Sequence, residues 1–274
     1  GETNALNPLY GALVSVAGNT SIEPYGWIEP FSHPFNGGSV FFQLNNLTVE
    51  TNAGFNAHAA GFRGGYSAAD GYGPGYGLGD PIRCTGAGYG GRGGRSETQT
   101  YRGATYASPE MPIHPGSGGG GGRSTNIGLG GRGGGLIHVQ VNKFILHGTL
   151  AAKGSSADAS GTSYSGGGSG GGILVKCGTF TGTPTSLLNA DGGDYGHVTC
   201  GGGGGGRIAI YYGDQWTENT PPHHLVVSEI PPASFEGATS VLPGDSYIHA
   251  DSSEPGTVRF IQVLYPKGSF FSAF

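Results

Sequence analysis

The sequence predicts an all-β protein, and more narrowly a parallel β-solenoid whose long Gly-rich loops are ordered as polyglycine-type helices. Three observations predict it. A Gly-Gly-strand unit occurs four times, each copy alternates apolar and polar residues with period two, and no stretch carries the 3.6-residue period of an amphipathic helix. A β-sandwich with long loops is the second architecture that these features allow.

The first copy is GGSVFFQLNNLTVET (37–51), in which Val40, Phe42, Leu44, Leu47 and Val49 share a face. GGGLIHVQVNKFILHG (133–148) repeats it with Ile137, Val139, Val141, Phe144 and Leu146. In GGGILVKCGTF (170–180) the same places are taken by Ile173, Val175, Cys177 and Phe180, and in GGGRIAIYYGD (204–214) by Ile208, Ile210 and Tyr212. The first inward residue advances by 36 positions from Ile137 to Ile173 and by 35 to Ile208, but by 97 from Val40 to Ile137. The first unit therefore holds a long insertion. Copies that bury the same face stack in register, each covering its neighbour's apolar side. Between strands, GTLAAKGSS (148–156) and SLLNADGGD (186–194) read as corner bends.

The glycine tracts at 118–122, 166–172 and 201–206 precede or lie between these strands. Glycine serves there in two ways: it reaches φ > 0, and it lets backbones approach with no side chain between them. Floppy tracts would cost ordering entropy, and buried ones must pair their N–H and C=O groups. The tracts are therefore read as packed side by side and hydrogen-bonded to one another, with flexible exposed loops as the alternative.

The organisation that follows is an N-terminal cap or extension (1–35), a repeat domain (36–214, insertion 54–131) and a C-terminal cap (215–274). In the last, proline pairs interrupt TENTPPHHLVVSEIPPASFEG before DSYIHAD and TVRFIQVLYP resume alternation. TVRFIQVLYP is a candidate for completing a neighbour's sheet by strand addition.

Composition narrows the function classes. Gly (59) and Pro (17) exceed a quarter of the 274 residues, yet charged residues are only 11% and aromatics also 11%, which is a folded rather than a disordered profile. Thirteen scattered Lys and Arg against a net charge of -5 leave no footprint for nucleic acid, and no apolar run is long enough to span a membrane. The first residue is Gly1, which reads equally as a trimmed chain or a processed secretory protein. Scarce Lys, abundant Ser, Thr, Tyr and Gly, and the sequons at Asn19 and Asn46 point to a secreted, extracellular setting.

Three cysteines without a CxxC argue against zinc and a thioredoxin-like motif, and no metal or cofactor is expected. Cys177 and Cys200 lie about one repeat apart, and stacked strands sit about 4.8 Å apart, so a disulfide between them is expected in an oxidising compartment. Cys84 would then be free or paired between chains. Two buried, reduced thiols are the alternative. Asp158, Asp191, Asp194 and Asp214 are the acids available to a polysaccharide-acting enzyme, although Asp beside Gly is more commonly turn chemistry. His223 and His224 lack a third metal ligand at a usable spacing. In the insertion, Tyr66, Tyr72, Tyr76, Arg92, Arg95 and Tyr101 interleave rings and guanidinium groups with glycine. That is the composition of an interface, with a loop packed on its own domain as the plainer reading.

The stretches YSGGGSGGGILVKCGTFTG, LLNADGGDYG and GGGGGGRIAIYY, with GAGYGGRGGR and TYASPEMPIHPGSGGGGG upstream, resemble the glycine-rich repeat of large secreted or cell-surface proteins of protists, plants and planctomycete-like bacteria. The resemblance spans roughly residues 36–214 and carries no catalytic motif. A weaker similarity, to the glycine-rich ectodomain of anaplastic lymphoma kinase, implies ordered glycine helices and transfers no site. The expected function is an extracellular structural or adhesive protein that assembles with itself or other extracellular chains into a filament or surface layer. A secreted glycan-binding module and a polysaccharide-acting enzyme are the alternatives.

Overall fold

The structure, a computed structural model, describes residues 11–96, 99–123, 128–157, 164–213, 224–246 and 252–264. Its elements in chain order are β1 (Ala12–Ile22), β2 (Trp27–Ile28), β3 (Val40–Val49), β4 (Gly54–Asn56), β5 (Leu136–Leu146), β6 (Thr149–Ala151), β7 (Gly172–Gly182), β8 (Leu187–Asn189), β9 (Arg207–Gly213), β10 (His224–Ser228), β11 (Ala238–Ser240) and β12 (Thr257–Leu264). The fold is all-β: the described residues contain no helix.

The four alternating copies become β3, β5, β7 and β9, neighbours in a seven-stranded sheet of order β1-β3-β5-β7-β9-β12-β10. Every pair in it is parallel except β10–β12. The inward residues meet as their spacing predicts: Phe42 pairs with Val139, Val139 with Val175, Val175 with Ile210, and Phe144 with Phe180. Period-two alternation decides this register, because a slip of one residue would turn every buried side chain outward.

The two expected corner bends are instead short strands. Thr149–Ala151 and Leu187–Asn189 join β2, β4 and β11 in a second, five-stranded parallel sheet of order β11-β8-β6-β4-β2. Each repeat gives one long strand to the first sheet and one short strand to the second. The middle residues Phe55, Leu150 and Leu188 point into a core shared with the long strands, where Phe42 meets Phe55 edge-on at 5.3 Å.

Both ends of the chain extend these sheets. In the N-terminal region, β1 pairs with β3, and the register shifts between Val16 and Asn19 at a bulge. Near the C-terminus, β12 pairs with β9 on one side and β10 on the other. The strand nominated for addition to a neighbour is therefore already paired on both edges. A smaller cluster covers the outer face of the long sheet, where Met111 and Ile113 pack on Leu174, Ala209, Tyr211, Ile261 and Val263.

The glycine tracts form a buried third layer. Gly119 donates to Gly131, Gly131 to Gly166 and Gly166 to Gly120, each at 2.9 Å. Gly167 donates to Gly201 (3.0 Å), Gly203 to Gly193 (2.8 Å) and Gly204 to Ala87 (2.8 Å). Close approach is the operative reason for glycine here. Positive φ occurs at Gly37, Gly73 and Gly213, all outside the three tracts. A Cβ on Gly119 would lie 2.1 Å from the Gly166 carbonyl oxygen, and one on Gly203 1.9 Å from that of Gly168. Backbone occupies the space a side chain would need.

Candidate functional site

Three surfaces bear on function: the outer edges of the long sheet among the described residues, a basic and aromatic pocket, and the tyrosine-bearing insertion. At one edge, Ala12 to Asn19 of β1 are all exposed, including Leu13, Val14 and Val16. At the other, Leu225, Val226 and Val227 of β10 are exposed. Natural sheets blunt an edge with charge, proline or a covering segment. Neither strand contains Lys, Arg, Asp, Glu or Pro. Only the bulge at residues 17–18 bends β1.

The pocket, about 420 Å³, is walled by Phe31, Pro34, Phe35 and Leu129 and carries the guanidinium groups of Arg63 and Arg132. Arg132 stacks on Phe31 at 5.1 Å. Its Nε and Nη2 are shut off from solvent without a hydrogen-bond partner. Burial pulls the Arg132 pKa down, and the charge of Arg63 adds to the effect. No carboxylate lines this cavity, so two cations face apolar walls in a protein of net charge -5. Sequence reasoning missed the site, which joins residues from three separate segments. Its signal was the repeated Arg-Gly-Gly at 63–65 and 132–134, in each of which the arginine precedes a packed tract.

The insertion's aromatics divide among several contacts. Tyr72 packs edge-on against Phe35 at 4.9 Å, beside the pocket. Tyr76 lies 5.8 Å from Tyr101, whose hydroxyl donates to the Tyr76 carbonyl at 3.3 Å. Tyr66 is exposed and forms a bridge with Leu129. Arg92 is exposed, and its carbonyl accepts from Glu254 N at 2.9 Å. Glu254 also pairs with Arg102 at 2.9 Å, tying the insertion to the C-terminal segment. Arg95 is half-buried in the same layer.

The remaining expected residues serve the fold's own hydrogen bonding. Asp191 Oδ1 accepts from Leu242 N (2.7 Å) and the Ser240 hydroxyl, and Asp194 accepts from Asp245 N (2.9 Å) and the Ser156 hydroxyl (3.2 Å). Asp158, Asp214 and His223 lie outside the described residues. Among those described, no three His, Cys, Asp or Glu side chains converge on a point fit for a metal, and no helix is long and apolar enough to cross a membrane. The two sequon asparagines are cross-strand partners, with Asn46 Nδ2 donating to Asn19 Oδ1 at 2.8 Å.

The expected Cys177–Cys200 bridge is absent. All three cysteines are free and buried. Cys177 sits opposite Val141 in β7, and its thiol donates to the Tyr211 carbonyl at 3.2 Å. Cys200 lies in the glycine layer, seven residues before β9. One repeat of separation makes neighbours only of equivalent positions, and these two are not equivalent.

Comparison with known proteins finds no matching family model, and no curated sequence or solved structure is significantly similar.

Proposed function

We propose that this chain is an extracellular structural or adhesive module: a β-solenoid that assembles with copies of itself by joining sheet edge to sheet edge. The observation that carries the proposal is the pair of uncharged edges. β1 and β10 end the same sheet at opposite sides, and each exposes three large aliphatic residues. β10 runs opposite to the parallel strands, so adding the β10 edge of one copy to the β1 edge of the next makes an antiparallel ladder. Repeating that contact generates an open array instead of a closed dimer. The occupant is a second copy, because each molecule supplies both complementary edges. Two sequons and scarce Lys support a secreted setting. Sedimentation across a wide concentration range, followed by electron microscopy, tests the reading. Concentration-dependent oligomers that lengthen into filaments or sheets are expected, and a monodisperse monomer at every concentration refutes it.

A second reading, glycan binding, rests on the pocket. The guanidinium groups of Arg63 and Arg132 beside Phe31 and Phe35 suit a sugar that presents a carboxylate to the two cations and its C–H face to the rings. Calorimetric titration with oligogalacturonate against a neutral oligosaccharide separates the cases. Binding of the acidic sugar that is lost in Arg132→Gln supports the reading, and equal or absent binding of the two sugars excludes it.

A further inference from the structure

We propose that Cys84 and Cys200 are the two halves of a disulfide that ties the insertion to the last glycine tract. The segments around them run side by side through the glycine layer. Thr199 Oγ1 donates to the Ile82 carbonyl at 2.6 Å, Gly201 N to the Cys84 carbonyl at 3.1 Å, and Gly94 N to the Gly202 carbonyl at 2.8 Å. These bonds hold the two cysteines at the same level of the layer, with the Cys84 carbonyl bonded to the residue next to Cys200. Cys84 is fully buried and Cys200 1% exposed. Around Cys84 Sγ lie the carbonyl oxygens of Asp80 (2.9 Å), Gly121 (3.1 Å) and Tyr164 (2.8 Å), drawn from three different segments.

The setting distinguishes this pair from apolar filler. A layer held by backbone hydrogen bonds leaves almost no room for side chains: a Cβ on Gly201 would fall 1.9 Å from the Gly94 carbonyl oxygen. Two buried thiols held at one level there are an exception in need of a reason, and a covalent link supplies one. Cys177 is a different case, a thiol inside the apolar core with a carbonyl partner.

The chemistry balances by exchange with a low-molecular-weight disulfide of the oxidised-glutathione class. Cys200 attacks as thiolate, forming a mixed disulfide and expelling one small thiolate. Cys84, after losing its proton, displaces the second. Two protein thiols and one small disulfide become one protein disulfide and two small thiols. The two electrons reduce the small disulfide, and the two protons leave on the small thiols. Since the folded layer seals both sulfurs, exchange takes place during folding, before the tracts close.

The test uses the full chain folded in a mixture of oxidised and reduced glutathione, alkylated without reduction and mapped by mass spectrometry. Trypsin alone would leave Cys177 and Cys200 in one peptide, since no Lys or Arg lies between Lys176 and Arg207. Chymotrypsin added to trypsin separates them at Phe180 and Tyr195. The expected product is one disulfide-linked pair containing Cys84 and Cys200, with Cys177 alkylated on its own. Separate alkylated Cys84 and Cys200 peptides, or a link from Cys177 to either, overturn the proposal.

Discussion

An alanine at Gly203 tests whether glycine is required in the tracts for close approach. Its Cβ would stand 1.9 Å from the Gly168 oxygen and 2.4 Å from the Gly168 carbonyl carbon. A carbon and a carbonyl oxygen approach to about 3.3 Å at best, so the two tracts must part by on the order of 1 Å. That displacement strains three hydrogen bonds, each 2.8 Å long: Gly203 N to Gly193 O, Gly244 N to Gly203 O, and Gly193 N to Gly168 O. At about 1 kcal/mol net for each bond, and a further 1 to 3 kcal/mol for overpacking, the cost comes to about 4 to 6 kcal/mol. At roughly 2–4 °C per kcal/mol for a domain of this size, the melting midpoint falls by on the order of 10 °C or more. Gly18→Ala is the control, because a Cβ there meets nothing within 4 Å; its expected change is within about 0.5 kcal/mol. Thermal and urea denaturation followed by circular dichroism measure both. A Gly203→Ala midpoint within about 2 °C of the parent would refute the close-approach argument.

Charge on the β1 edge should act on assembly alone: Val16→Lys is expected to abolish oligomers in sedimentation while leaving the melting midpoint unchanged, since Val16 is exposed. Buried His138 stacks on Phe41 at 4.3 Å, and burial, aided by the Lys176 charge, lowers its pKa to about 3. The unfolded chain then binds the proton more readily, so this contribution is complete above about pH 6.5 and is lost toward pH 3, at about 1.4 kcal/mol per pH unit. Urea titrations at several pH values should show a shallower acid decline in His138→Leu; parallel declines would refute the assignment. Arg207 donates from Nε to the Tyr106 carbonyl and from Nη1 to Thr257 Oγ1, each at 3.1 Å, and lies over Tyr89. Arg207→Ala should cost about 2–4 kcal/mol in chemical denaturation, because it removes packing and leaves two partly buried acceptors unpaired.

The inward residues of β3, β5, β7 and β9 were legible in the sequence together with their pairing, because alternation names a face and a repeated face admits one register. Buried order in the glycine tracts was legible for a related reason: backbone polar groups that precede core strands must find partners. The second sheet was not. A three-residue strand such as Thr149–Ala151 is too short to display a period, and its bends and strands share one composition. Nor was β1, which is exposed on both faces along most of its length and so lacks the alternation that marks a half-buried strand.

Tertiary structure alone decided the sites. Sequence distance measures height along a stack only for equivalent positions, so Cys177 and Cys200 looked adjacent, whereas the tract that follows Cys200 bonds to the backbone of Cys84, 116 residues upstream. The Arg63–Arg132 pocket likewise assembles from three segments whose contact depends on how the insertion folds back over the layer. Local alternation determines which face of a strand is buried. Contacts between a long insertion and a distant tract depend on where close backbone packing leaves room for a side chain, and one-dimensional spacing carries no measure of that room.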